Sequence, residues 1–275
     1  MGLDIVGICR FSLLGRGDWK ATGGKSDAEL AEILESRAEM LYAPQRMEER
    51  FATFEHLTLK SIAAQRDKDF TFLVCASERM PAEYRKRLDA ITAPIPQVAV
   101  RYYPATDVIS AQNAFFKEQG VDQENCIQFR LDDDDCVFVR FIDRLRFFGE
   151  QLEAVKTFGI TFSDLIYSSL NHPEGGVFHW HRDFFSAGAA IRHPTRSIYS
   201  YGHFAIPRRM PCVTVPYFMP LVTHRGNNDT RPIQTHPGAR GEVVRIAPDA
   251  LEKYIAAHLP FLDETGLKVA GLIPE

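Results

Sequence analysis

Cys126-Ile127-Gln128-Phe129-Arg130-Leu131-Asp132-Asp133-Asp134-Asp135 runs from a short, largely apolar segment straight into four carboxylates. Cys126–Leu131 reads as a buried β-strand. Adjacent aspartates repel one another and have poor β-propensity, so a strand that ends on four of them needs a physical reason. A divalent cation supplies one. Alternate residues of an extended segment share a side, so Asp132 and Asp134 can converge on one ion while Asp133 and Asp135 point elsewhere. Their hard oxygens suit Mn²⁺ or Mg²⁺, which keep positions open for water and phosphate. The same run also fits a solvated turn or a helix N-terminus, where aspartates are favoured; the strand leading into it favours the cation. An EF-hand loop is excluded, because no central glycine and no terminal glutamate follow Asp132 at the required spacing.

Upstream, Asp4–Phe11, Phe70–Ala76 and Gln97–Tyr103 are also short apolar runs and predict three further strands. Between them, Glu49–Gln65 places Phe51, Phe54, Leu57, Leu59, Ile62 and Ala63 at helical spacing, and helices are also expected from Pro81 to Leu88 and around Ala111–Lys117. Gly15, Gly17, Gly23 and Gly24 mark a long loop after the first strand. Alternating strands and helices predict an α/β fold with a mainly parallel central sheet flanked by helices, and such sheets bind ligands at the carboxyl ends of their strands. Val137–Phe158 is a helix candidate, and Thr161–Leu170 reads as a strand or a strand plus turn. Beyond it, glycines, histidines, prolines and a dense aromatic run replace clean periodicity. With neither an internal repeat nor a low-complexity linker, one domain over residues 1–275 is expected.

Composition narrows the function classes. Of 275 residues, 45% are hydrophobic and 25% charged, as in an ordinary folded enzyme, and a net charge of -4 gives no footprint for nucleic acid. The five cysteines form no C-x-x-C pair, and several lie in strand-like runs, which suggests reduced core thiols. Met1–Ser12 lacks the pattern of a signal peptide, and Val213–Val222, broken by Pro216 and Pro220, falls short of the ~20 apolar residues of a membrane helix. A cytoplasmic location is expected, with membrane association limited to a peripheral contact.

The strand followed by Leu131-Asp132-Asp133-Asp134-Asp135 resembles the Asp-x-Asp signature of glycosyltransferases with the A-type fold. Together with Arg10-Phe11, the stretch Arg46–Phe54, Gln65 before Asp69-Phe70, and Arg130–Asp135, it makes the chain similar, from about residue 5 to about residue 230, to the bacterial family of putative rhamnosyl transferases. The resemblance implies a single A-type α/β lobe of the nucleotide-diphospho-sugar transferase kind, with a nucleotide-sugar-binding half over about 1–136 and an acceptor-side half over about 137–275. It implies metal-dependent transfer of a sugar from a nucleotide-diphosphate donor to a glycan or small-molecule acceptor, and its name points to rhamnose. Carried over by position, Arg10, Ser77, Glu78, Arg130 and Asp132 would face the nucleotide sugar. Many relatives carry an aspartate near the end of the second strand, where this chain has Ser77 and Glu78.

His179-Trp180-His181-Arg182-Asp183 partly matches the H-x-H-x-D opening of metallo-β-lactamase-like hydrolases, but Phe184 stands where that motif continues with histidine. A metal-dependent hydrolase built on His179, His181 and Asp183 is therefore one alternative, and a non-catalytic nucleotide-sugar-binding relative another. In a glycosyltransferase the same aromatic segment would face the acceptor, with Asp183 as first candidate general base and Glu174 as second. His224-Arg225-Gly226-Asn227-Asn228-Asp229 resembles the late segment that closes the metal and diphosphate site in several A-type enzymes. That likeness implies His224 as a third metal ligand and Arg225 as a phosphate contact, against the alternative of a surface Gly-Asn turn.

Overall fold

The computed structural model of the chain describes residues 2–15, 27–169, 176–223 and 243–274. Strand β1 (Asp4–Arg10) is followed by α1 (Asp27–Leu41), α2 (Pro44–Thr53), a π-helical turn over Phe54–Thr58, and α3 (Leu59–Ala63). Then come β2 (Thr71–Ser77), α4 (Ala82–Thr92), β3 (Val98–Tyr103), α5 (Val108–Gln119) and β4 (Cys126–Arg130). Beyond the aspartates lie α6 (Phe141–Gln151), β5 (Phe158–Phe162), β6 (Asp164–Ser169), β7 (Gly176–His181), β8 (Ala190–Arg192), β9 (Cys212–Val215), β10 (Leu221–Thr223), β11 (Val243–Arg245), α7 (Pro248–His258) and α8 (Glu264–Val269). Local chemistry sets several of these limits. Pro44 opens α2, where its missing N–H costs nothing, and the Asp107 carboxylate caps α5 by accepting from Ser110 N at 2.9 Å. Gly120, at φ 66°, ends α5 in the left-handed conformation that glycine adopts without strain.

Among the described residues, seven strands form one sheet in the order β3-β2-β1-β4-β8-β5-β9. β3, β2, β1 and β4 are mutually parallel, β8 runs antiparallel to both its neighbours, and β9 is parallel to β5. A second sheet has the order β10-β6-β7-β11. Alternation along the first strands sorts their side chains between two apolar clusters. Ile5, Cys9, Phe72, Val74 and Phe129 pack on one face with α1, α2, α3, α4 and α6, while Val6, Ile8, Leu73 and Cys75 pack on the other with α5. The expected α/β class with a mainly parallel, helix-flanked sheet is what the molecule has. All five cysteines are free thiols, four of them buried. Among the described residues, no helix is long and apolar enough to cross a membrane.

Some expectations change. The helix foreseen over Val137–Phe158 is confined to Phe141–Gln151, because the preceding backbone donors are spent elsewhere: Cys136 N donates to Leu221 O at 3.0 Å and Val139 N to His258 O at 3.0 Å. Thr161–Ser169 is two strands, broken at Ser163, whose N–H donates to Val215 O at 3.1 Å while its carbonyl accepts from Arg182 N at 2.8 Å. The chain changes sheets there. The helix expected from Glu49 begins at Pro44 and carries the π turn.

Gly7, in the middle of β1, lies under the stacked rings of Phe72 and Phe129, whose centroids are 6.1 Å apart. A Cβ at Gly7 would sit 2.2 Å from the Phe129 ring and 2.6 Å from that of Phe72. Gly7→Ala should therefore lower stability by about 2 kcal/mol or more in a urea titration, as overpacked cores do; an unchanged midpoint would show that the two rings can move aside.

Candidate functional site

The sheet order places β2 and β3 to one side of β1 and β4 to the other, so consecutive crossovers diverge between β1 and β4. In open α/β sheets such a switch point leaves a crevice at the carboxyl ends of the strands. Here β1 ends at Arg10 and β4 at Arg130, with Ile8 in register with Arg130. A cavity of about 350 Å³ opens beyond them, within the range of small-ligand sites. Its walls are the aspartates Asp132, Asp133 and Asp134, the arginines Arg10, Arg37, Arg46 and Arg50, and the turn from Ser12 to Gly15, together with Met40 and Leu41.

The aspartate run is a turn and not a continued strand, with Asp135 N donating to Asp132 O at 3.4 Å. Strict alternation is therefore lost. Asp132 and Asp134 line one cavity, and Asp133 lines it with them. Asp135 turns away: its carboxylate accepts from Thr223 N at 3.2 Å, and its carbonyl accepts from Thr58 Oγ1 at 2.8 Å. Thr58 closes the π turn, a local widening of the helix of the kind often found at functional sites. Gln65 locks the other end by donating to Phe138 O at 3.0 Å and accepting from Ile142 N at 3.1 Å.

Each carboxylate has a distinct electrostatic environment. Arg50 Nη1 contacts Asp133 and lies 3.5 Å from Asp134 Oδ2, while Asp132 Oδ1 is 3.6 Å from Arg130 and 4.0 Å from Arg10. Burial alone would raise the pKa of Asp132, but Arg130, Arg10 and Arg50 outweigh it and hold this carboxyl below its ordinary value. Asp133 is raised by burial and by Asp132, against Arg50. Asp134 is pushed up to about 8 by burial and the neighbouring carboxylates, although Arg50 opposes the change. Asp135, which has no ion pair among the described residues, is raised well above its normal range by burial, Asp134 and Asp132. Burial also works against the Arg50 guanidinium, yet Asp133, Asp134 and Asp132 hold it more firmly protonated than usual.

Tyr199 braces the two strand-end arginines. Its ring lies 4.8 Å from the Arg130 guanidinium and 5.4 Å from that of Arg10, and its hydroxyl donates to Ile8 O at 3.1 Å. A buried polar network holds the ring in place: Gln112 Nε2 donates to Gln128 Oε1 at 2.7 Å, Ser197 Oγ to Gln112 Oε1 at 2.6 Å, and Tyr199 N to Ser197 Oγ at 3.1 Å. His203 stands nearby with a pKa lowered to about 4 by burial and by Arg130, so its ring is neutral at physiological pH. Its Nδ1 donates to Phe184 O at 2.7 Å, leaving Nε2 as the acceptor.

Of the residues singled out in the sequence, the fold brings Arg10, Arg130, Asp132 and Asp134 together. Ser77 is buried at the end of β2, where its hydroxyl accepts from Arg79 N at 3.2 Å, and Glu78 is exposed; neither lines the cavity. Asp183 is exposed in the turn after β7 and also lies outside the cavity lining. His179 Nε2 and His181 Nδ1, at 2.8 and 3.0 Å, both donate to Asp164 Oδ1 of β6, so their carboxylate partner is Asp164 and not Asp183. Burial acts to raise the Asp164 pKa, but hydrogen bonds from His181, Ser163 and His179 hold it below the ordinary value. Glu174, His224 and Arg225 lie outside the described residues. Among the described residues, no three His, Cys, Asp or Glu side chains are grouped to hold a metal. Sequence reasoning missed Arg37, Arg50, Asp133, Tyr199 and His203; only the Arg46–Phe54 stretch had drawn attention, and without a role.

A family model described as putative rhamnosyl transferase matches residues 4–237 of this chain. Among solved structures, the chain is similar to a protein from Desulfovibrio desulfuricans G20 described as a putative nucleotide-diphospho-sugar transferase, with 10% identity, a TM-score of 0.37 and coverage of 94% of this chain and 97% of that one. No curated protein matches.

The raised Asp134 pKa has a consequence for stability. The folded protein keeps this proton up to about pH 8, whereas an unfolded chain releases it near 3.8. The unfolded state thus binds fewer protons across that window, and the stability this group contributes, complete below pH 3.8, declines as pH rises toward 8. In EDTA, Asp134→Asn should raise the melting temperature, with an advantage that grows from pH 5 to pH 8. An advantage that is constant or shrinks with pH would contradict this charge assignment.

Proposed function

Since the chain belongs to the family described as putative rhamnosyl transferase, we propose that the cavity between β1 and β4 binds a nucleotide-diphosphate sugar and that the protein transfers the sugar to a hydroxyl of a glycan or small-molecule acceptor. One observation carries this reading: Asp132 and Asp134 share a cavity with four arginines at the carboxyl ends of two adjacent parallel strands. In the resemblance to A-type glycosyltransferases these aspartates are the Asp-x-Asp pair.

The donor set suits Mn²⁺ or Mg²⁺. Asp132 and Asp134 offer hard oxygens on one wall, and the pKa of about 8 at Asp134 marks a place where nearby cations do not fully balance the buried carboxylates. Bound there, a divalent ion would supply charge neutralisation for the departing diphosphate. His224 is our candidate for a third ligand and Arg225 for a phosphate contact. Arg10 and Arg130, whose guanidiniums lie 5.4 and 4.8 Å from the Tyr199 ring, keep Asp132 ionised. Arg50 contacts Asp133 and opposes the rise that burial imposes on its pKa. Rhamnose is the donor sugar that the family name suggests.

The acceptor would approach from the side of β7 and the segment after it, where Phe185 packs on Trp180 and Phe204, and Arg182 lies 4.2 Å from the Phe204 ring. Asp183, the exposed carboxylate next to Arg182, is our first candidate to accept the proton of the attacking hydroxyl, with Glu174 second.

A screen of nucleoside-diphosphate sugars with Mn²⁺ should reveal one donor that is turned over. Asp134→Asn should abolish that turnover while keeping the wild-type fold, because the substitution removes a charged ligand at constant volume. Wild-type activity and metal response in this variant would overturn the reading. Asp183→Asn should lower transfer by ~10²–10⁴-fold with donor binding near wild type. Loss of donor binding would instead move Asp183 to the donor site, and full activity would pass the role to Glu174.

A further inference from the structure

The cavity has a second wall, formed by helices and not by the sheet. α1 contributes Arg37 and α2 contributes Arg46, so with Arg10 and Arg50 four guanidiniums face three carboxylates. Most of these charges are already engaged. Arg50 is spent on Asp133 and Asp134, and Arg10 and Arg130 flank Asp132.

Arg46 differs. Its Nη1 donates to Leu41 O at 2.8 Å and to Ser12 Oγ at 3.1 Å, both uncharged acceptors, and among the described residues no carboxylate forms an ion pair with it. The side chain is fixed, and among the described residues its charge is met only without direct pairing, by Asp133 and Asp134. Ser12 itself is held at φ 47°, a left-handed conformation that costs a non-glycine residue of order 1 kcal/mol, and its carbonyl accepts from Tyr42 OH at 3.2 Å. The turn that anchors Arg46 is thus strained and braced from the α1–α2 side. Burial and the nearby Arg50 charge both lower the Arg46 pKa, and the aspartates do not restore it, as expected of a cation waiting for an anion.

We propose that Arg46 of α2, with Arg37 of α1 lining the same cavity, forms a phosphate subsite that grips the donor's diphosphate from the helical wall, independently of any metal at the aspartates. The identification of the ligand as a donor diphosphate rests on the function proposed above; the anion subsite itself does not. Guanidinium suits the task because its planar fork can keep its bonds to Leu41 and Ser12 on one edge and offer other N–H groups to phosphate oxygens. It would let the donor dock before the aspartates are engaged, and it would leave the aspartate wall to balance the charge that develops on the leaving group.

The test is calorimetric titration of the full chain with inorganic pyrophosphate in EDTA at fixed low ionic strength. Wild type should bind, and Arg46→Gln should weaken binding about 10- to 100-fold, the usual effect of losing charge-assisted hydrogen bonds. If Arg46→Gln loses the wild-type melting transition, Arg46→Lys is read instead: a single ammonium cannot hold Leu41 O and Ser12 Oγ and still present a fork, so a loss of about threefold or more is expected. Absence of pyrophosphate binding by wild type, or equal affinity in the variant, would overturn the subsite. Asp134→Asn in the same titration should bind pyrophosphate as tightly as wild type or more so. An Arg46-dependent affinity in a protein that turns over no sugar nucleotide would preserve the anion subsite and overturn only the transferase reading.

Discussion

Four consecutive aspartates, of which Asp133, Asp134 and Asp135 are buried and Asp132 is half-buried, are tolerable only if cations or protons accompany them. That constraint organises the whole carboxyl edge of the sheet. Arg50 is brought from α2 to meet Asp133, Arg10 and Arg130 close on Asp132 from the ends of β1 and β4, and Asp135 is satisfied by the backbone of Thr223. Removing one of these arginines leaves a carboxylate buried without compensation, which typically costs several kcal/mol. The scaffold around it is correspondingly rigid: the Thr58 and Gln65 bonds tie the helical arm on one side of the cavity to the segment on either side of α6's start, so the acidic turn cannot move without moving α3 and α6.

The distribution of charge also divides labour within the site. Asp132 is ionised and braced, Asp134 holds a proton until about pH 8, and Asp135 is a structural group whose carboxyl serves the turn. A ligand that brings positive charge to Asp134, or negative charge to Arg46, relieves an imbalance already built into the fold. A metal and a diphosphate arriving together relieve both, which is the physical core of the proposed donor site.

Much of the first half was legible in the sequence. The apolar runs Asp4–Phe11, Phe70–Ala76, Gln97–Tyr103 and Cys126–Leu131 became the four parallel strands, because a sheet covered on both faces demands continuous hydrophobicity and that signal is strong in a single chain. Within the site, Asp132, Asp134, Arg10 and Arg130 were visible because they stand at strand ends. Arg50, Arg46 and Arg37 were not, since on helices they read as ordinary polar-face residues, and only their tertiary placement turns them toward the cavity. Tyr199 and His203 come from a segment without periodicity; the Gln112–Gln128–Ser197 network positions Tyr199 and the Phe184 carbonyl holds His203, and no local pattern encodes either. The second sheet was hidden for a similar reason: its strands are short, and only Ser163 separates β6 from β5. The histidines of β7 drew attention as a metal motif, whereas their shared partner Asp164 lies on the neighbouring strand, 15 and 17 residues away in sequence.

The most direct measurement of the central claim is the melting temperature with a nucleoside diphosphate alone, with Mn²⁺ alone, and with both together. Because a ligand stabilises the folded state by an amount that grows with the logarithm of its concentration over Kd, a metal held by Asp132 and Asp134 against a diphosphate, each tightening the other's binding, predicts that the pair raises the melting temperature well beyond the sum of the separate effects. Strictly additive shifts, or stabilisation by Zn²⁺ alone with no response to the nucleotide, would contradict it.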